Sequence, residues 1–288
     1  MSLWYVEGLK LSDVLQFASK LPCLSSFRCC LEEKTTQNPD VSSDQESPTT
    51  LDGFKSLRRI TLHDSPCKDT AAIFQSAQKG ISYFALSNSP VNEALAQNLG
   101  RAPHTEILQE IEFKNIDLTG CDHVLHLLLS SLPALVTFCV RGAVMVCGPA
   151  ILGRESWACT ELKQLIVKPK CDGGGQGYST QESQDAFMKQ VASFDDLCHL
   201  DFEAGDEEGE VYGFEPENSL DVIQAMPKLE NINLGVKTYR RITAEHAEQI
   251  VQRREVWKFY GIPVKENIPF VQCIKMQRHP PHLRRYLD

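Results

Sequence analysis

No stretch of this chain approaches the roughly 18 uninterrupted apolar residues of a membrane-spanning helix. The opening "MSLWYVEGLKLSDVLQF" also lacks the basic-then-apolar order of a secretory signal. No membrane is expected, and a cytosolic or nuclear location follows. Clustered positive charge is missing too: 29 Lys and Arg stand against 38 Asp and Glu, for a net charge of -9. Such a balance does not favour displacing counterions from phosphates, so nucleic acid is not an expected partner. None of the eleven cysteines falls in a CxxC pair. With an odd count and no secretory signal, they read as reduced thiols that mostly pack in the core.

Catalytic signatures are equally scarce. In "GPAILGRES", Gly148 and Gly153 have phosphate-loop spacing, but Arg154 and Glu155 stand where Lys and Ser or Thr would bind phosphate and magnesium. Gly173 to Gly175 lack the GxGxxG order. The acidic run Asp206, Glu207, Glu208 and Glu210 lacks the alternating oxygens and central Gly of a calcium loop. His123 and His126 are three apart on an expected helix, yet no third ligand at metal-site spacing follows and HExxH is absent. No GxSxG elbow is present. The chain is therefore expected to be no enzyme, with no cofactor, metal, catalytic residue or small-molecule substrate.

What the sequence does have is an apolar rhythm. "LPALVTFCV", Leu132 to Val140, is followed by "CTELKQLIV", Cys159 to Val167, and the two share little but their apolar positions. The spacing apolar, two residues, apolar, one residue, apolar recurs at Leu57/Ile60/Leu62, Ile81/Phe84/Leu86, Leu108/Ile111/Phe113, Leu135/Phe138/Val140, Leu162/Leu165/Val167, Leu197/Leu200/Phe202 and Leu229/Ile232/Leu234. Successive starts lie 24, 27, 27, 27, 35 and 32 residues apart, and a weaker unit precedes them at Leu24/Phe27/Cys29. The last two apolar residues of each unit alternate as the buried face of a short strand does. Between them run amphipathic segments such as "KDTAAIFQSAQ", "VNEALAQNLG", "CDHVLHLLLSSL", "SQDAFMKQVASF" and "ENSLDVIQAM", which read as helices. Strand, loop and helix units of this size bury their apolar faces by stacking on neighbours, which predicts an α/β fold with a parallel sheet inside and helices outside.

From Leu3 to Leu234 this pattern resembles the leucine-rich repeat in its longer, helix-containing form, similar to the ribonuclease-inhibitor class. "LPALVTF", "MPKLENINL" and "SWACTELKQLIV" look like the divergent repeats of fungal F-box-like proteins. The resemblance implies a right-handed solenoid, or horseshoe, that binds a protein on its concave face. In the sharper form, the chain is the substrate-recognition part of an F-box-type ubiquitin ligase subunit, with cullin-ligase components as partners. Two departures stand out. The family's Asn or Cys, three residues past the last ladder position, is replaced by Ser65, Ser89, Ile116, Ala143, Lys170, Gly205 and Lys237, so the turns need other hydrogen-bond partners. "LPCL" at Leu21 to Leu24 lacks the LPxE-like opening of an F-box.

Residues that alternate with the buried ones should form the concave face. One column is Arg59, Tyr83, Glu110, Thr137, Gln164, His199 and Asn231. A second is Thr61, Ala85, Glu112, Cys139, Ile166, Asp201 and Asn233. A third is His63, Ser87, Lys114, Arg141, Lys168, Glu203 and Gly235. From these, the candidate protein-binding residues are Arg59, Thr61, Tyr83, Glu110, Glu112, Lys114, Thr137, Arg141, Gln164, Lys168, His199, Asp201, Asn231 and Asn233. A broad, polar, mixed surface of this kind suits a protein better than an enclosed ligand, and Tyr and Arg are common interface anchors.

The solenoid is expected to span 1–263, with the polar segment 31–50 as a flexible insertion. "ITAEHAEQIVQRREVWKFYGIPV", Ile242 to Val264, reads as an amphipathic capping helix, and 264–288 as a basic, loosely ordered tail. The Gly-rich loop 171–183 and the acidic loop 203–217 support the competing reading, a scaffold or enzyme regulator acting through these loops.

Overall fold

A computed structural model of the chain describes residues 11–30, 53–65, 67–118, 121, 123–148, 156–171, 179–202, 219, 222, 225–234, 257–261 and 274–278. The chain divides into two compact units, Met1–Leu135 and Val136–Asp288.

The first unit contains α1 (Leu11–Ser19), β1 (Ser26–Cys30), β2 (Arg59–His63), α2 (Cys67–Ser76), β3 (Tyr83–Ser87), α3 (Glu93–Leu99), β4 (Glu110–Lys114) and α4 (Val124–Ser131). Its four strands are parallel and pair in chain order, with Arg59 beside Tyr83 and Tyr83 beside Glu110. The ladder residues Phe27, Ile60, Leu62, Phe84 and Ile111 are fully buried, and Cys29, Leu86 and Phe113 nearly so. Phe74 of α2 meets the Phe84 ring edge-on at 4.8 Å, and Phe84 meets Phe113 in the same way at 5.8 Å. Such edge contacts add to the area term of burial. The apolar sides of strands and helices thus close on one core, as the repeated spacing requires.

Repetition extends to the backbone. At each strand entry one carbonyl accepts two successive N–H groups from the next unit: Ser25 from Arg58 and Arg59, Arg58 from Ser82 and Tyr83, and Ser82 from Gln109 and Glu110. At the exits, the residue two past the last ladder position takes a left-handed conformation, at Asp64 (φ 54°), Asn88 (φ 50°) and Asn115 (φ 51°). Asp and Asn tolerate that region better than other residues with a side chain. The missing Asn is replaced by serine at two turns. The buried Ser89 hydroxyl accepts the Ser65 N–H at 2.8 Å and donates to the Ser87 carbonyl at 2.8 Å, so one side chain serves two turns.

A second buried tie is His104. Its Nδ1 accepts the Ile81 N–H at 3.1 Å while Nε2 donates to the Phe74 carbonyl at 2.9 Å, which fixes a neutral tautomer. Burial lowers its pKa, opposed by the Phe74 hydrogen bond.

The second unit contains β5 (Thr137–Val146), β6 (Gln164–Lys170), α5 (Thr180–Val191), β7 (His199–Phe202), β8 (Asn231–Leu234), β9 (Trp257–Gly261) and β10 (Ile274–Arg278). Strands β5 to β8 are parallel and pair in order. The shared-carbonyl entry recurs, with Val136 accepting from Lys163 and Gln164, and Lys163 from Cys198 and His199. Phe138, Leu165 and Leu200 are fully buried, and Trp157 stacks on Phe194 at 5.5 Å.

Several expectations are corrected here. Residues 257–261 form a strand rather than the end of a capping helix. Part of the expected loose tail, Ile274–Arg278, is also a strand: β10 pairs antiparallel with β8, and β9 pairs antiparallel with β10. Trp257 and Phe259 fit a period of two as well as a helical face, and aromatic residues favour strands when an open sheet edge offers backbone partners. Residues 242–256 lie outside the described residues, as do 31–50, 203–217 and most of "ENSLDVIQAM". The expected loop 171–183 is shorter than supposed, because Thr180 to Ser183 are already in α5. The Ser179 hydroxyl accepts the Glu182 N–H while the Glu182 carboxylate accepts the Ser179 N–H, a capping box that starts the helix.

Two outcomes test these ties. Ser89→Ala leaves the Ser65 N–H buried without its acceptor and is expected to cost about 1–3 kcal/mol in denaturant unfolding. His104→Leu strips the Ile81 N–H in the same way, at a similar expected cost. Because the folded His104 pKa lies below 6.5, its contribution is complete above about pH 6.5 and is lost as pH falls. Unfolding midpoints measured from pH 7.5 to 5 should therefore fall, and fall less steeply in His104→Leu.

Candidate functional site

Alternation places the expected polar columns on the side of the strands away from the ladder core. In the first unit β2 shows this directly, with Ile60 and Leu62 buried, Arg59 exposed, and Thr61 and His63 half-buried. On β3 and β4, Tyr83 and Glu110 are half-buried, while Glu112 and Lys114 are exposed. Ala85 is only 7% exposed and makes a small apolar floor between Thr61 and Glu112, its register neighbours.

Three of the expected residues form a connected chain across three strands. The Arg59 guanidinium lies over the Tyr83 ring, 4.0 Å from its centroid, and the Tyr83 hydroxyl donates to Glu112 Oε2 at 3.1 Å. Tyr83 faces Glu110 in register but reaches diagonally to Glu112, a distance an aromatic side chain spans. Its pKa is pushed up to about 12, first by burial and then by the Glu112 charge and hydrogen bond, with Arg59 opposing. Neighbouring His63 is lowered by burial and by the Arg28 and Lys114 charges, against the pull of Asp64. The face carries cations on β1 and β2, carboxylates on β4, and a tyrosine held between them.

In the second unit Thr137, Gln164 and His199 are register partners and half-buried, as is Asp201. Cys139 and Ile166 in the adjoining column are buried. Asn231 and Asn233 pair with His199 and Asp201, so their backbone places them in the expected columns. The third column fails. Between Cys139 and Val144 the register slips, so Val144 rather than Arg141 lies beside Lys168. Arg141 sits in this bulge and is exposed, whereas Lys168 is only 6% exposed. The expectation of Lys168 as an open binding residue is therefore corrected: it shares its face of β6 with the buried Ile166 and is itself enclosed.

His123 is exposed, with Nε2 3.7 Å from a Glu93 carboxylate oxygen, while His126 is buried in α4; the two do not converge. Among the described residues no group of three or more His, Cys, Asp or Glu could hold a metal ion. No helix among them is long and apolar enough to cross a membrane. Neither protein-family models nor curated proteins return a match to this chain.

The spacing located Arg59, Tyr83 and Glu112 individually but not their chain of contacts, since a diagonal pair depends on side-chain rotamers. His104 was also missed, because nothing in "GRAPHTEIL" marks it as buried.

Ultraviolet titration should find Tyr83 ionising near pH 12. Glu112→Gln is expected to lower that value by removing a negative neighbour, and Arg59→Met to raise it further. The stability tied to the protonated phenol is complete below pH 10 and is lost as pH rises towards 12.

Proposed function

We propose that this chain is a solenoid of leucine-rich-repeat type that acts as a non-catalytic protein-binding module. Its partner docks on the exposed sheet face of the first unit. The observation that carries the reading is the Arg59–Tyr83–Glu112 chain on an open face away from the core. Arg and Tyr are among the side chains most enriched as interface anchors, and here each is held in place by its neighbour before a partner arrives. A face of this kind offers area and mixed charge rather than enclosure, which favours a macromolecular ligand.

The more specific form of the proposal is substrate recognition within an F-box-like ubiquitin ligase. It is supported by the phrasing of the repeats and by their strand–helix units, whose parallel strands stack in chain order within each unit. The partner would then be a protein destined for modification, with cullin-ligase components recruited alongside it.

Affinity purification of the tagged chain from its native cells tests both levels. Cullin-ligase components among the captured proteins support the ligase reading, whereas a reproducible partner without them leaves a binding scaffold. Arg59→Glu and Glu112→Lys should each weaken the captured partner about tenfold or more while leaving the unfolding midpoint nearly unchanged, since both side chains are exposed. Undiminished capture with both variants would place the binding surface elsewhere.

A further inference from the structure

The bulge in β5 changes which residues of β5 and β6 face one another. Up to Cys139, which pairs with Ile166, partners are one repeat of 27 residues apart; from Val144 with Lys168 to Val146 with Lys170 the offset is 24. Continued by one position, that register sets Cys147 beside Cys171. The Cys147 N–H donates to the Lys170 carbonyl at 2.8 Å, so the pairing reaches this point. Without the bulge, Cys147 would face position 174 instead.

Both thiols are enclosed, with Cys147 at 1% and Cys171 at 0% exposure; the Cys147 thiol donates to the Met145 carbonyl at 3.3 Å, and after burial the neighbouring Cys171 thiol helps to hold its pKa up. Adjacent strands lie about 4.8 Å apart, within the Cα separation of about 4.4–6.8 Å that a disulfide bridges.

We propose that Cys147 and Cys171 form a dithiol site that a hydroperoxide oxidises to a disulfide linking the β5 and β6 extensions. One thiolate sulfur attacks the O–O bond of hydrogen peroxide; an S–O bond forms, the O–O bond breaks, and hydroxide leaves to take up a proton. The second thiolate then attacks the resulting sulfenic sulfur, forming S–S and releasing a second hydroxide that becomes water. In sum, two thiols lose two electrons and two protons to one peroxide, and a dithiol reductant reverses the change. The staple would secure the two extended strands at the place where the chain departs from its regular repeat.

The test uses the full chain, reduced, freed of reductant and then exposed to hydrogen peroxide. Non-reducing digestion and mass spectrometry should find the Cys147 and Cys171 peptides linked, with a mass lower by about 2 Da than the two free peptides together. The link should vanish in Cys147→Ala and in Cys171→Ala and persist in Cys139→Ala. Oxidised wild-type chain should melt several degrees higher than reduced chain, as expected when a cross-link restricts the unfolded state. Burial holds the Cys147 thiol well above its usual pKa, so the oxidation rate should still be climbing at pH 9. If the two thiols stay free or become sulfinic acids, or if either is linked to another cysteine, the proposal is overturned. The wild-type peptide map decides this even if an alanine variant fails to fold.

Discussion

A short parallel strand cannot satisfy itself. Its apolar side and its edge carbonyls need a neighbour, and in this chain the neighbour is the next copy of the same pattern. Ser25, Arg58 and Ser82 each give one carbonyl to two N–H groups of the following strand entry, and Val136 and Lys163 repeat the arrangement in the second unit. The ladder residues bury against one another by the same step. Most other features within each unit depend on this neighbour-by-neighbour pairing.

Because the pairing handles the strand entries, the exits can vary. Asp64, Asn88 and Asn115 turn the chain in a left-handed conformation, and Gly142 takes the same position in β5 with φ 73°. After Asp64 the chain leaves the sheet, and after Asn88 and Asn115 a single parallel bridge, Pro90 with Asp117, keeps the register of the strands before it. After Gly142 it resumes pairing with a shifted register. A single tolerated departure therefore accompanies the longer β5 and β6, leaves Arg141 in the bulge and aligns Cys147 with Cys171. In the first unit, where the exits are regular, the exposed columns stay aligned and Arg59, Tyr83 and Glu112 connect.

Much of the candidate face could be read from the sequence because alternation along a strand is strict. Once Ile60 and Leu62 are assigned to the core, Arg59, Thr61 and His63 must point the other way. The same logic located Tyr83, Glu110, Glu112 and Lys114. It did not anticipate the burial of Lys168, which alternation still places on the same face as the buried Ile166. It also failed at Trp257 to Gly261, where five residues fit either a helix or a strand until β10 supplies hydrogen-bond partners.

By itself, then, the sequence determined the positions of strands β1 to β8, most of the helices between them and the side of each strand that is buried, because these follow from local periodicity repeated many times. Only the tertiary structure decided the serine tie between Ser65 and Ser89, the enclosed tautomer of His104, the diagonal reach of Tyr83 to Glu112, the β5 bulge and the antiparallel strands β9 and β10. Each of these depends on which groups distant in sequence come within hydrogen-bonding or packing distance, and a local pattern does not encode that.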